Sequence, residues 1–155
     1  MTSKAQIDDF LAQKRFAFVG VSRRRNDFSR ELFRAFAKKG WEPVPVHPQA
    51  GEIEGVRCFP HIADVYPPVD SVLLMTSPSV TDTVAEECVA AGVKRVWFYG
   101  GAASGALNVQ AVGRCAGQGM SVIAGECPLM FLPGTGIVHR VHGLVKKIRG
   151  TYPSQ

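Results

Sequence analysis

The sequence predicts a doubly wound α/β fold, a three-layer sandwich around a five-stranded, mainly parallel sheet. Three observations carry that expectation. Short β-branched and aromatic runs alternate with amphipathic stretches along the chain, as in successive βαβ units. Residues 70–76 (DSVLLMT) form a continuous apolar run of the kind buried on both faces of a parallel sheet. Gly20, Gly40, Gly92 and Gly100 fall where a segment closes and the chain must turn.

The elements follow in order. Residues 15–21 (RFAFVGV) read as a first strand closing at Gly20. Within 26–39, Phe28, Leu32, Phe33, Ala35 and Phe36 share one helical face, with Asn26 or Asp27 as cap and Gly40 as stop. Residues 42–47 (EPVPVH) return as a second strand, although Pro43 and Pro45 fit a central strand poorly. Residues 48–69 hold Pro48, Gly51, Gly55, Pro60, Pro67 and Pro68 without a sustained period, which predicts an irregular connection with a short helical turn near 61–65. After the strand at 70–76, Ser77 and Pro78 open a helix on which Val80, Val84 and Cys88 recur every fourth residue before Gly92 ends it. A strand at 95–99 (RVWFY), a looser helix over 104–118, a fifth strand at 120–124 and a basic helix over 137–149 complete the chain.

At 155 residues the chain suits one domain, 1–155, with its core over 14–128. A composition 46% apolar and 20% charged leaves no room for long disordered tracts. No apolar run reaches the roughly 18 residues a membrane span requires, and Asp8, Asp9 and Lys14 interrupt the place where a secretory leader would need one. A cytoplasmic protein with no membrane partner is therefore expected. Cys58, Cys88, Cys115 and Cys127 form no CxxC pair, so neither a disulfide framework nor a metal site is predicted.

The net charge of +5 is unevenly spread: residues 1–40 carry ten Lys/Arg against four Asp/Glu, 41–138 four against nine, and 139–155 four against none. Basic ends around an acidic middle favour an anionic partner. The acidic middle and the absence of a recognition motif argue against nucleic acid.

In an open α/β sheet, ligands bind at the carboxyl ends of the strands, where strand order reverses. The loops to examine are thus 20–27, 47–51, 76–79, 99–104 and 125–128. The first, GVSRRRND, is the most informative. A glycine closing the strand lets backbone approach a ligand, and the N–H groups opening the next helix attract phosphate, reinforced by Ser22, Arg23, Arg24 and Arg25. The alternative is an ordinary turn with solvated arginines, but three adjacent guanidinium groups repel one another unless an anion or acidic neighbours offset them. The nicotinamide fingerprint GxGxxG is absent, since Ser22 stands at its second glycine, and the second strand ends in His47 and Pro48 in place of the Asp or Glu that would hold a ribose hydroxyl. Both departures point away from a dinucleotide and toward a more highly phosphorylated adenylate.

The segments FAFVGVS, GWEPVPVHP, EIEGVRCFP, a strand ending in MTSP, and VKRVWFYGG, taken as an ordered set over residues 14–128, resemble the small single-domain CoA-binding proteins. Their Rossmann-like fold is similar to the CoA-binding domain of the succinyl-CoA synthetase alpha subunit. The resemblance implies coenzyme A or an acyl-CoA held across the strand ends, without catalysis. It implies that Gly20, Val21, Ser22 and Arg23 cradle the pyrophosphate, with Arg24, Arg25 and Arg30 for the remaining phosphates. Val46, His47 and Pro48 would line the adenosine end, and Thr76, Ser77 and Pro78 would flank the pantetheine arm. Tyr99 and Gly100 stand where relatives often carry a glutamine-containing loop, and the extension after residues 126–129 (ECPL) has no inherited role. No histidine here sits in the context of the phosphohistidine of larger acyl-CoA synthetases, so self-contained ligase activity is not expected. An alternative is a subunit of an NAD(P)- or acyl-CoA-processing enzyme that needs a partner chain.

Other residues are assigned lesser roles. Cys127 could meet a CoA thiol in a mixed disulfide, but a small buried residue beside Pro128 is the favoured reading. Glu126 is either a base or a backbone acceptor, and no nucleophile–base pair is identifiable, so no catalytic residue is named. His139 and His142 are too few for a metal site. The basic helix around them reads as a docking element for a partner subunit or a second copy of the chain. Cys58, Cys88, Cys115, Trp41 and Trp97 read as core.

Overall fold

A computed structural model describes residues 2–100 and 108–134. Its sheet joins β1 (Arg15–Val19), β2 (Glu42–Val46), β5 (Ser71–Leu74), β6 (Arg95–Phe98) and β7 (Ser121–Ala124) in the order β2-β1-β5-β6-β7, every pairing parallel. Between β2 and β5 lies a small antiparallel hairpin, β3 (Glu52–Ile53) and β4 (Val56–Arg57), followed by a 3-10 turn at Ile62–Asp64. Strand order reverses between β1 and β5, so the loops after these two strands open the crevice of the fold.

Side-chain alternation along β1 builds both faces. Phe16 and Phe18 point to one layer with Leu73, Trp97 and Ile123, covered by Phe33 and Phe36 of α2 (Phe28–Lys38) and by Ile7 and Phe10 of α1 (Lys4–Ala12). Ala17 and Val19 point to the other with Val72, Leu74, Val96 and Phe98, under Val84, Ala85 and Cys88 of α3 (Pro78–Ala90) and Ala111 and Cys115 of α4 (Val109–Gly117). The first face is an aromatic cluster, with Phe16–Phe36 ring centroids 4.8 Å apart and Phe10 edge-on to Trp97 at 5.3 Å. Truncating such a ring to alanine costs about 3–5 kcal/mol.

The structure adds to and corrects the sequence reading. Pro43 and Pro45 are tolerated because β2 is an edge strand, where a missing N–H breaks no ladder. Asp27, not Asn26, caps α2, accepting from the backbone N–H of Ser29. The buried stripe of α3 is Thr81, Val84, Ala85 and Cys88, an i, i+3, i+4, i+7 set, while Val80 is exposed. Trp97 is fully buried, but Trp41 is only partly so, with the Lys14 ammonium 3.5 Å from its ring centroid. α1 was not anticipated. Ser3 and Gln6 cap it reciprocally, and the side chains of Thr2 and Gln6 hydrogen-bond the edge strand β7 at Ala124 and Val122. The basic helix expected over 137–149, with His139 and His142, lies outside the described residues, as does the start of the helix expected over 104–118.

Glu54 (φ 52°) and Gly55 (φ 74°) are both left-handed, the conformation of a two-residue hairpin loop. Glycine adopts it freely, whereas a glutamate there costs on the order of 1–2 kcal/mol.

Candidate functional site

At the switch point Gly20 leaves β1 with φ +97°, and a Cβ built on it would lie 2.5 Å from the carbonyl oxygen of Met75. Glycine is thus required twice, by its backbone angle and by the close approach of the chain after β5. A second close approach stands at the ends of β6 and β7, where a Cβ on Gly100 would lie 2.6 Å from the Cα of Gly125.

A cleft of about 260 Å³ opens beside Gly20. It brings together the predicted Gly20, Val46, His47, Pro48 and Thr76. Its far wall was not foreseen: Pro60 and His61 come from the connection after β4, and Val80, Thr83, Val84 and Glu87 from α3. Val19, Val46, Val80 and Val84 make much of the lining apolar, while Glu87 accepts from the backbone N–H of Ile62 and meets His61 Nδ1 at 3.3 Å. The volume lies below the roughly 300 Å³ at which sites begin to enclose a drug-sized molecule, so the cleft suits one end of a longer ligand. A larger depression of about 370 Å³ at the opposite end of the sheet, between Arg15, Asp70 and Gly92, faces no switch point.

The arginines divide into two groups. Arg23, Arg24 and Arg25 are exposed on the loop after β1, and His47 at the end of β2 is partly buried. Burial, and then the charge of Arg23, hold the His47 imidazole below its usual pKa. The Gln49 backbone N–H donates to His47 Nδ1 at 3.0 Å, which fixes the neutral ring with its proton on Nε2. Arg30, offered by the sequence reading to a phosphate, is instead buried beneath the loop. Its guanidinium meets Glu54 Oε1 at 2.7 Å and donates to the carbonyls of Ser22 and Arg23 at 3.1 and 3.4 Å. Ser22 itself is woven into the turn, its N–H donating to Ser29 Oγ and its Oγ accepting from the N–H of Arg24.

Val21 is buried in the aromatic layer, so what it offers the crevice is backbone. Thr76 Oγ1 hydrogen-bonds Thr81 Oγ1 at 2.7 Å, fixing the opening of α3. Ser77 occupies the N-cap position without capping by its side chain, which pairs with Ser79 Oγ at 3.1 Å, and Pro78 follows at the first turn. Tyr99, at the end of β6, packs at a tilt against Phe28 with centroids 5.8 Å apart, and burial pushes its hydroxyl pKa above the usual tyrosine value. Burial likewise raises the Cys58, Cys88 and Cys115 thiols, which are inert core residues. Cys127 is partly buried beside the buried Pro128. Among the described residues no cluster of metal-ligating side chains occurs, and no helix is long and apolar enough to cross a membrane.

Fold and crevice together define a Rossmann-like α/β domain with a cleft at the carboxyl ends of the strands. The chain belongs to the CoA-binding domain family, whose sequence model matches residues 14–133. It is 30% identical over 126 residues to the uncharacterized protein YneT of Bacillus subtilis (strain 168), covering 81% of this chain and 90% of that protein. A conserved hypothetical protein from Pyrococcus furiosus superposes with a TM-score of 0.66 at 29% identity, over 73% of this chain and 94% of that one. The dinucleotide-forming acetyl-coenzyme A synthetase 1 of Ca. Korarchaeum cryptofilum matches with a TM-score of 0.61 at 26% identity, over 72% of this chain but only 25% of its own.

Proposed function

We propose that this protein binds coenzyme A or an acyl-CoA without transforming it, in the cytoplasm. One observation carries the reading: a largely apolar cleft at the switch point, closed on one side by Gly20, whose His47 feels the charge of Arg23 on a loop of three exposed arginines. The cleft, with Val46, His47 and Pro48, takes the adenine end. Arg23, Arg24 and Arg25 engage the phosphates through charge-assisted hydrogen bonds, which exposed guanidinium forks make bidentately. The pantetheine arm runs past Thr76, Ser77 and Pro78 toward Tyr99 and Gly100. Membership of the family supports the ligand class, and the absence of an Asp or Glu at the end of β2 supports CoA over NAD.

Calorimetry with CoA, dephospho-CoA, NAD and NADP tests this. CoA is expected to bind most tightly, with dephospho-CoA weakened by its missing charge. Tighter binding of NAD than of CoA would refute the reading. A second reading, a subunit of an acyl-CoA-processing enzyme, is favoured by the similarity to a quarter of a synthetase chain. Turnover of acyl-CoA only after a partner chain is added would select it.

A further inference from the structure

Beneath the arginine loop lies a framework that the proposed site does not use. Glu54 sits at the tip of the β3–β4 hairpin in a left-handed conformation better suited to asparagine or glycine. Its Oε1 gathers two guanidinium groups: Arg30 Nε at 2.9 Å and Arg34 Nε at 3.0 Å. Hydrogen bonds from Arg34, then Arg30, keep the carboxyl ionised below its usual range. The same two arginines reach on to the loop, Arg30 to the carbonyls of Ser22 and Arg23, and Arg34 to the carbonyl of Arg25 at 2.9 Å. Three carbonyls of residues 22–25 are thus held by cations anchored on one carboxylate, the Arg30 contacts part-buried and the Arg34 contact at the surface. With those carbonyls engaged, the side chains of Arg23, Arg24 and Arg25 remain exposed.

We propose that Glu54 is a positioning residue: it orders residues 22–27 before any ligand arrives, so that Arg23, Arg24 and Arg25 need no rearrangement to meet a phosphorylated ligand. Preorganisation of this kind raises affinity by removing an ordering cost from binding. A guanidinium presents its donors in a rigid planar fork, so Arg30 meets the carboxylate and the carbonyls in one fixed geometry that the flexible ammonium of a lysine does not impose. The affinity consequence rests on the CoA reading above, whereas the ordering of the loop does not.

The test uses Glu54→Asn and Glu54→Gln in the full chain. Both remove the carboxylate, but asparagine favours the turn backbone and glutamine does not, so the variants separate turn stability from loop anchoring. Both are expected to keep the fold, because Glu54 is exposed at the tip of the small hairpin and belongs to neither apolar layer of the main sheet. Amide hydrogen exchange should quicken at residues 22–27 in both, with the strands of the main sheet unchanged. The Kd for CoA should rise about tenfold in both, whichever has the higher Tm. Unchanged exchange at 22–27 overturns the proposal, as does a Kd that follows Tm across the two variants. If the unmodified protein does not bind CoA, the functional reading falls by itself, and the exchange measurement still decides whether Glu54 orders the loop.

Discussion

The two ends of the sheet carry arginines in opposite states. At the amino ends of the strands Arg95 lies between two carboxylates, Asp9 at 2.6 Å and Asp70 at 3.1 Å, and Arg15 stands 3.6 Å from Glu42 while donating to the Pro67 carbonyl. At the carboxyl ends, no carboxylate of the described residues pairs with Arg23, Arg24 or Arg25. Glu54, drawn beneath that loop, is engaged by Arg30 and Arg34. Charge at the first end is matched within the chain and ties α1 to the sheet. Charge at the second is unmatched among the described residues, as the proposed phosphate site requires. The residue type is the same, and its role is set by what the fold places within 4 Å.

The strongest way to break the carboxyl end is at Gly20. Gly20→Ala must adopt a left-handed backbone, costing about 1–2 kcal/mol, and must push its Cβ away from the Met75 carbonyl, 2.5 Å distant. Overpacking against backbone adds about 1–3 kcal/mol. A loss of more than about 3 kcal/mol in urea unfolding is expected, with CoA binding abolished in whatever fraction folds. Gly40→Ala provides the contrast, since that position has open space around it and bears only the backbone cost. Equal losses at both positions would mean that the strand ends do not press together as described.

A paired substitution sharpens the comparison directly. Arg23→Ala should leave stability within about 0.5 kcal/mol, as exposed side chains do, while weakening CoA binding about tenfold and flattening its salt dependence. Arg95→Gln should show the reverse, losing about 1 kcal/mol of stability, discounted for the exposure of Asp9 and Asp70, with CoA affinity unchanged. Denaturant unfolding and calorimetry on both variants check the pair. If Arg95→Gln lowered the affinity for CoA as much as Arg23→Ala does, the division between the two ends would not hold.

The half of the site formed by single contiguous segments was legible, because local residues announce their own geometry. Gly20, His47 and Pro48 close strands read from their own residues, the second despite Pro43 and Pro45, and the structure gathers them at one cleft. The other half comes from a distance. Pro60, His61, Thr83 and Glu87 reach the cleft only because β5 lies beside β1 and brings α3 with it, a pairing no local pattern encodes. Arg30 read as one more phosphate ligand because its anchor, Glu54, lies 24 residues away in a hairpin without the Asn-Gly signal that marks such turns. α1 leaves a trace, Ser3 with Gln6 three positions on, followed by Ile7 and Phe10, but the charges of the first residues blur its period.

The smallest expected effect, and the most direct report on the carboxyl end, is the titration of His47. In the free protein burial and Arg23 disfavour the imidazolium, so His47 should titrate below the ordinary value of 6.5. The folded state then holds fewer protons than the unfolded chain across that interval. The contribution is full above the unfolded pKa and is lost as pH falls through the folded one. It is small, because the ring is only partly buried. A phosphorylated ligand beside Arg23 would offset the guanidinium charge and raise the His47 pKa, so binding near pH 6 should take up a fraction of a proton. NMR titration of the imidazole with and without CoA checks both statements. A midpoint unmoved by CoA would place the phosphates away from Arg23. A midpoint already above 6.5 in the free protein would mean that the neutral ring accepting from Gln49 is not what holds this turn.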